Sequence, residues 1–150
     1  MVTTDEMLAA CRREFPACDG LIGAAAPCDY RPTEVANHKL KKTGEALLVK
    51  LVETEDIVAS LGREKQSAQW TVGFALETED ARFRAITKLQ KKSCDLVVLN
   101  GAAAIDSSSN NVEILAPDGT VVGAYNGEKE YVSTKILGVI NRLLIRATVS

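Results

Sequence analysis

The sequence has a single histidine, His38, in 150 residues. That scarcity leaves no Ser-His-Asp or Cys-His arrangement to argue from spacing, and His38, next to Lys39, reads as an exposed neighbour and not as a general base. Cysteine pairs are missing too. Cys11, Cys18, Cys28 and Cys94 form no C-x-x-C, and one histidine makes a zinc site dependent on an unusual ligand set. The four read as free thiols in a reducing cytoplasm. No apolar run is long enough for a membrane-spanning helix. Charge of one sign is also lacking. The net charge of -2 gives no footprint for nucleic acid or a membrane surface. Residues 1–6 show no basic stretch leading into an apolar one, so no signal peptide is expected. Internal repeats and low-complexity segments are absent, and neither G-x-G-x-x-G nor a Walker sequence occurs.

What is present is ordinary globular material, 46% apolar and 25% charged, in a length that fits one domain. A chain of this size hides roughly 70% of the surface its unfolded form exposes. Thr3 to Phe15 reads as a helix, opened by a Thr3–Glu6 capping box and ended by Pro16. Leu21 to Ala26 is a short apolar run between Gly20 and Pro27, which favours a buried strand. Pro27 to Gly44 is polar and basic and reads as a loop. Ala46 to Val52 alternates loosely, as a strand does. Thr54 is expected to cap a short helix with Gly62 just past its end, and Trp70 to Leu76 reads as a strand. Thr78 is expected to cap a helix that ends in Lys88, Lys91 and Lys92. Leu96 to Leu99 is the continuous apolar strand of a sheet covered on both faces. Val112–Leu115 and Thr120–Tyr125 around Pro117-Asp118-Gly119 predict a hairpin, and Lys129 to Ile145 a last helix. Strands alternating with helices predict a three-layer, Rossmann-like α/β domain with a mainly parallel sheet, plus a C-terminal hairpin and helix.

In such sheets ligands sit beyond the carboxyl ends of the strands. Four stretches there have chemistry to offer. Ala24-Ala25-Ala26 before Asp29 permits close backbone approach of a flat ligand, or else tight packing beside a solvated aspartate. Lys39, Lys41 and Lys42 make a phosphate clamp or an exposed basic loop. Gly73-Phe74 offers an aromatic face to a base, or a core phenylalanine, with Gly73 marking close approach. Asn100 ends its strand where an amide can read a ligand, and residues 106–111 follow as a polar loop.

The order of these stretches is more specific than any one of them. An apolar strand ending in Ala25-Ala26 is followed by Asp29-Tyr30-Arg31-Pro32, then Lys39-Leu40-Lys41-Lys42, then Glu55-Asp56-Ile57. Gly73-Phe74-Ala75-Leu76-Glu77-Thr78 and Asp95-Leu96-Val97-Val98-Leu99-Asn100 complete the series. From about Val2 to the last helix, the chain resembles the phosphopantothenate–cysteine ligase family, in many bacteria the C-terminal half of a bifunctional flavoprotein. The resemblance implies coenzyme A biosynthesis. The carboxylate of 4′-phosphopantothenate is activated by CTP or ATP, with Mg, and the acyl-nucleotide reacts with the amine of cysteine. It implies that Lys39 meets the nucleotide phosphates, supported by Lys41 and Lys42. Ala25, Ala26 and Phe74 form the nucleotide pocket, and Asp29 touches the nucleotide or its magnesium. Asn100 stands in the family's Asn-Asp pair.

The departures are specific. The family's opening glycine-rich strand–turn–helix and its Asn-x-Ser-Ser-Gly segment are not in the sequence. Gly101 replaces the aspartate after the asparagine. Residues 106–111 lack the usual phenylalanine, and Pro27-Cys28 replaces Val-Ala. The expectation is therefore one domain, residues 1–150, without flavin. It acts as a homodimer or with a chain carrying the missing segment. The alternative is a non-catalytic module of the same fold that binds a nucleotide or a partner. An unrelated NAD-binding domain is disfavoured because its fingerprint is absent.

Overall fold

The computed structural model describes residues 3–77, 81–101 and 109–146. Its helices are α1 (Thr4–Glu14), α2 (Ile57–Glu64), α3 (Ala81–Lys91) and α4 (Lys129–Ile140). Its strands are β1 (Gly20–Gly23), β2 (Tyr30–Pro32), β3 (Leu51–Glu53), β4 (Trp70–Glu77), β5 (Leu96–Gly101), β6 (Ser109–Leu115) and β7 (Val121–Glu128). The main sheet has the order β1-β4-β5-β6-β7. β1, β4 and β5 run parallel, and β6 and β7 continue the sheet antiparallel. The α/β alternation and the hairpin expected from sequence are both present, and the hairpin forms the far edge of the main sheet.

Each face of that sheet has its own apolar layer. Val72, Leu96, Val98, Val112 and Ile114 pack under Val132, Ile136, Val139 and Ile140 of α4. On the opposite face Ala75, Val97, Leu99 and Leu115 meet Ala85 and Leu89 of α3, with Val58 of α2 beside them. α1 is held against α2 by Leu8, Phe15, Ile57 and Leu61. The unbroken apolar run of β5 follows from this: Leu96 to Leu99 are all buried because helices cover both sides.

Local signals explain the ends of the elements. Thr3 and Glu6 form the expected reciprocal capping box of α1. Gln69 donates from Nε2 to the carbonyls of Phe15 and Cys18, tying the exit of α1 to the start of β4. At the same end of the sheet Asp95 takes the Thr71 N–H and the Lys65 ammonium, which sets β5 against β4. Gly20 is required because the Trp70 ring lies where its side chain would be.

Four expectations need correction. β1 ends at Gly23, so Ala24 to Ala26 lie outside the sheet. The strand expected over residues 46–52 is only Leu51–Glu53. It pairs antiparallel with β2, inside the stretch read as loop, and forms a separate two-stranded arm. Among the described residues, nothing outside that arm pairs with residues 46–50 in a ladder. Gly62 lies within α2, where a side chain would strike the Lys92 carbonyl, so it serves packing and not a C-cap. Asn110 and Asn111, read as loop, belong to β6. The expected cap at Thr78 and the stretch Asp106–Ser108 lie outside the described residues.

Candidate functional site

A cleft of about 860 Å³ opens at the carboxyl ends of β1, β4 and β5. The chain leaves β1 through a tight turn in which Ala24 N–H donates to the Ile22 carbonyl. It then runs along the rim as Ala24 to Asp29. There the two strands of the arm are pinned at their root. Thr54 N–H donates to the Asp29 carbonyl, and the Thr54 hydroxyl donates to the Cys28 carbonyl. Thr54, the cap expected from sequence, is therefore occupied elsewhere. Asp56 caps α2 in its place, accepting the Ala59 N–H at 2.9 Å.

Asp56 also meets Lys92 Nζ at 2.9 Å. Burial alone would raise its carboxyl. The Ala59 amide and the Lys92 ammonium outweigh that and hold it below the usual range. Behind it, Glu55 is lowered by the Ser60 hydroxyl and by Arg12, which grips Glu55 and Glu64 together. These contacts fix the start of α2 as a wall of the cleft.

Of the residues singled out in the sequence, Ala25, Ala26, Asp29, Phe74 and Asn100 are brought together here. Phe74 is 39% exposed, so its ring is free to meet a ligand and is not a core residue. Asn100 Oδ1 is buried without a hydrogen-bond partner. A buried acceptor left unmade costs about 1–3 kcal/mol, and a ligand N–H in the cleft would recover it. Gly73 also lines the cleft, but the group that approaches it closely is Cys94 Sγ, 3.2 Å from where a side chain would begin.

Lys39, Lys41 and Lys42 are not part of the lining. They stand exposed between β2 and β3, on the outer stretch of the arm. The cations in the cleft wall are Lys88, Lys91 and Lys92. The sequence reading places these only at the end of a helix. Their i, i+3, i+4 spacing, which puts them on one helix face, was the available signal. Among the described residues no group of three or more His, Cys, Asp or Glu could hold a metal ion. No helix among them is long and apolar enough to cross a membrane.

A mainly parallel sheet, with a small-residue turn, an aromatic face and an orphaned amide around the cleft at its carboxyl edge, defines a Rossmann-like α/β domain. The chain belongs to the family of DNA/pantothenate metabolism flavoprotein C-terminal domains, whose model matches residues 1–144. It is 34% identical over 148 residues to the coenzyme A biosynthesis bifunctional protein CoaBC of Vibrio parahaemolyticus, covering 95% of this chain and 37% of that protein. The CoaBC of Mycobacterium tuberculosis is 35% identical over 153 residues, covering 93% and 37%. A crystal structure of the C-terminal domain of a CoaBC superposes with a TM-score of 0.75 at 29% identity, over 95% of this chain and 63% of that one. The chain thus spans well under half the length of these curated relatives.

Proposed function

We propose that this chain is the nucleotide-binding part of a phosphopantothenate–cysteine ligase of coenzyme A biosynthesis, with CTP or ATP as co-substrate. The observation that carries the reading is the buried, unpartnered Asn100 Oδ1, set in the same cleft as Ala25, Ala26 and Phe74. Base edges carry N–H donors and flat faces, and this cleft offers an acceptor and an aromatic ring. The carboxylate of 4′-phosphopantothenate attacks a nucleotide phosphorus and releases pyrophosphate. The amine of cysteine then takes the acyl group and releases the nucleoside monophosphate. Charge builds on phosphate oxygens in the first step, and fixed cations stabilise it. Lys88, Lys91 and Lys92 stand in the cleft wall to supply those cations, and the family resemblance adds Lys39, Lys41 and Lys42 from the arm, whose root at Asp29 and Thr54 lies on the cleft rim.

The donor set suits magnesium held jointly with phosphates. Asp29 offers one exposed carboxylate, and such an ion takes one or two from protein when a triphosphate supplies other ligands. Bound there, magnesium would neutralise phosphate charge.

A second reading is a non-catalytic module of the same fold. It is favoured by one fact: Gly101 stands after Asn100 where the family pattern has an aspartate.

Calorimetric titration of CTP with magnesium, beside ATP, tests the reading. Saturating heat is expected, weakened about tenfold in Phe74→Ala and Lys39→Ala, which corresponds to about 1.4 kcal/mol each. A folded chain that binds neither nucleotide sinks it. Phosphopantothenoylcysteine formation by the purified chain would exclude the non-catalytic module.

A further inference from the structure

Three successive residues of the cleft lining, Thr54, Glu55 and Asp56, are each tied to a different neighbour. Thr54 pins the rim at Cys28 and Asp29, and Asp56 holds Lys92 of α3. Glu55 is drawn elsewhere. Its Oε1 accepts the Ser60 hydroxyl at 2.8 Å and an Arg12 N–H, from Nη2, at 2.8 Å. Neither Ser60 nor Arg12 belongs to the lining. Ser60 is only 1% exposed and fixed within α2, so the carboxylate is drawn along that helix and out of the cleft.

Arg12 completes the hold from α1. Its Nε donates to both carboxylate oxygens of Glu64, and its Nη2 donates to Glu64 Oε1 as well as to Glu55. The planar fork of arginine suits such a two-sided contact, where the point charge of lysine does not. As a source of stability the cluster is weak. The side chains of Arg12, Glu55 and Glu64 are 41%, 48% and 45% exposed, and exposed ion pairs contribute little. What the cluster does well is keep one carboxylate neutralised and in one place.

That carboxylate matters because of what surrounds it. Lys88, Lys91 and Lys92 stand in the same cleft wall, and Lys92 touches the residue next to Glu55. A phosphate-bearing ligand drawn to those lysines comes up against the start of α2. The charge of Asp56 is already answered there by Lys92 and by the Ala59 N–H. Among the described residues, Arg12 is the cation paired with Glu55. Without it, Glu55 is free to swing into the cleft and to set a like charge against the ligand.

We propose that Arg12 is a positioning residue for the cleft, which acts through Glu55 by holding a carboxylate of the wall aside so that a phosphate-bearing ligand can enter. This role rests on the nucleotide reading for the nature of the ligand, and adds to it a residue outside the lining that governs affinity.

The test is calorimetric titration of CTP with magnesium into the whole chain and its variants. Arg12→Gln is expected to weaken binding about tenfold, and the loss is expected to shrink as salt is raised. Adding Glu55→Gln to Arg12→Gln repairs no contact, yet it is expected to bring affinity back to within about twofold of the unaltered chain. Arg12→Lys, which keeps the charge and loses the fork, should fall between, and with and without Glu55→Gln it gives the same comparison should the glutamine variant fail to fold. Glu64→Gln removes the other partner of Arg12, outside the lining, and is expected to change the thermal midpoint and not the affinity. No loss in Arg12→Gln, or a double variant that binds no better than Arg12→Gln, overturns the proposal, while CTP binding by the unaltered chain keeps the ligase reading. If the unaltered chain binds neither CTP nor ATP, that reading falls and inorganic tripolyphosphate becomes the probe. The same loss and rescue then uphold the role of Arg12, and absent binding or absent rescue overturns it.

Discussion

At the scale of single residues, Asp56 shows how a tertiary contact decides a local choice. Thr54 and Asp56 are both good caps, and sequence alone favoured Thr54. The Thr54 hydroxyl is instead drawn to the carbonyl of Cys28, 26 positions earlier, which no local pattern announces. Because the folded carboxyl of Asp56 lies below its ordinary value, its contribution is present above about pH 4 and is lost as pH falls through the folded pKa. Glu55, Glu113 and Asp118 are lowered too and act with the same sign. Asp56→Ala should therefore cost about 1 kcal/mol at pH 7 and less at pH 3, measured by urea unfolding. Asp56→Asn keeps a capping oxygen, so it should lose less than alanine at pH 7 while showing the same flattened response to acid. The place of Asn100 and Phe74 in the cleft was legible because strand ends and small-residue turns mark the carboxyl edge of a parallel sheet. The cleft lysines were not, because a helix C-terminus attracts lysine for its own electrostatic reasons.

Among the elements, those that bury a face were read correctly in kind, and those that bury none were not. β5 and α4 announced themselves through apolar runs and helical spacing. The arm could not. Leu47, Leu48 and Val49 look like strand residues but stand exposed, Leu48 at 98%. The missing ingredient is a partner strand, a property of space and not of order along the chain. Gly62 is the parallel case for helices. A glycine in mid-helix normally gains about 1 kcal/mol on replacement by alanine. Here Gly62→Ala is expected to lower the thermal midpoint, because the new methyl meets the Lys92 backbone. A raised midpoint would contradict the tight packing of α2 on the end of α3.

On the scale of the whole molecule, the α/β class followed from the alternation of patterns. The strand order did not, because adjacency in a sheet is decided by crossovers. The layer under α4 carries much of the fold, with Val72, Val98 and Ile114 wholly buried. Ile114→Ala should cost about 2–5 kcal/mol by chemical denaturation, against well under 1 kcal/mol for an exposed position such as Leu48→Ala. The arm, by contrast, adds little to that core. Its two strands bond to each other, and its root is held by the contacts of Thr54. Covalent continuity through residues 33–50 is therefore nearly independent of the architecture. A backbone cut among the exposed lysines there would leave α1 and β1 seated on α2 and β4. The same gap could receive new chain termini, so that a circularly permuted polypeptide would reach the same arrangement of layers by a different route.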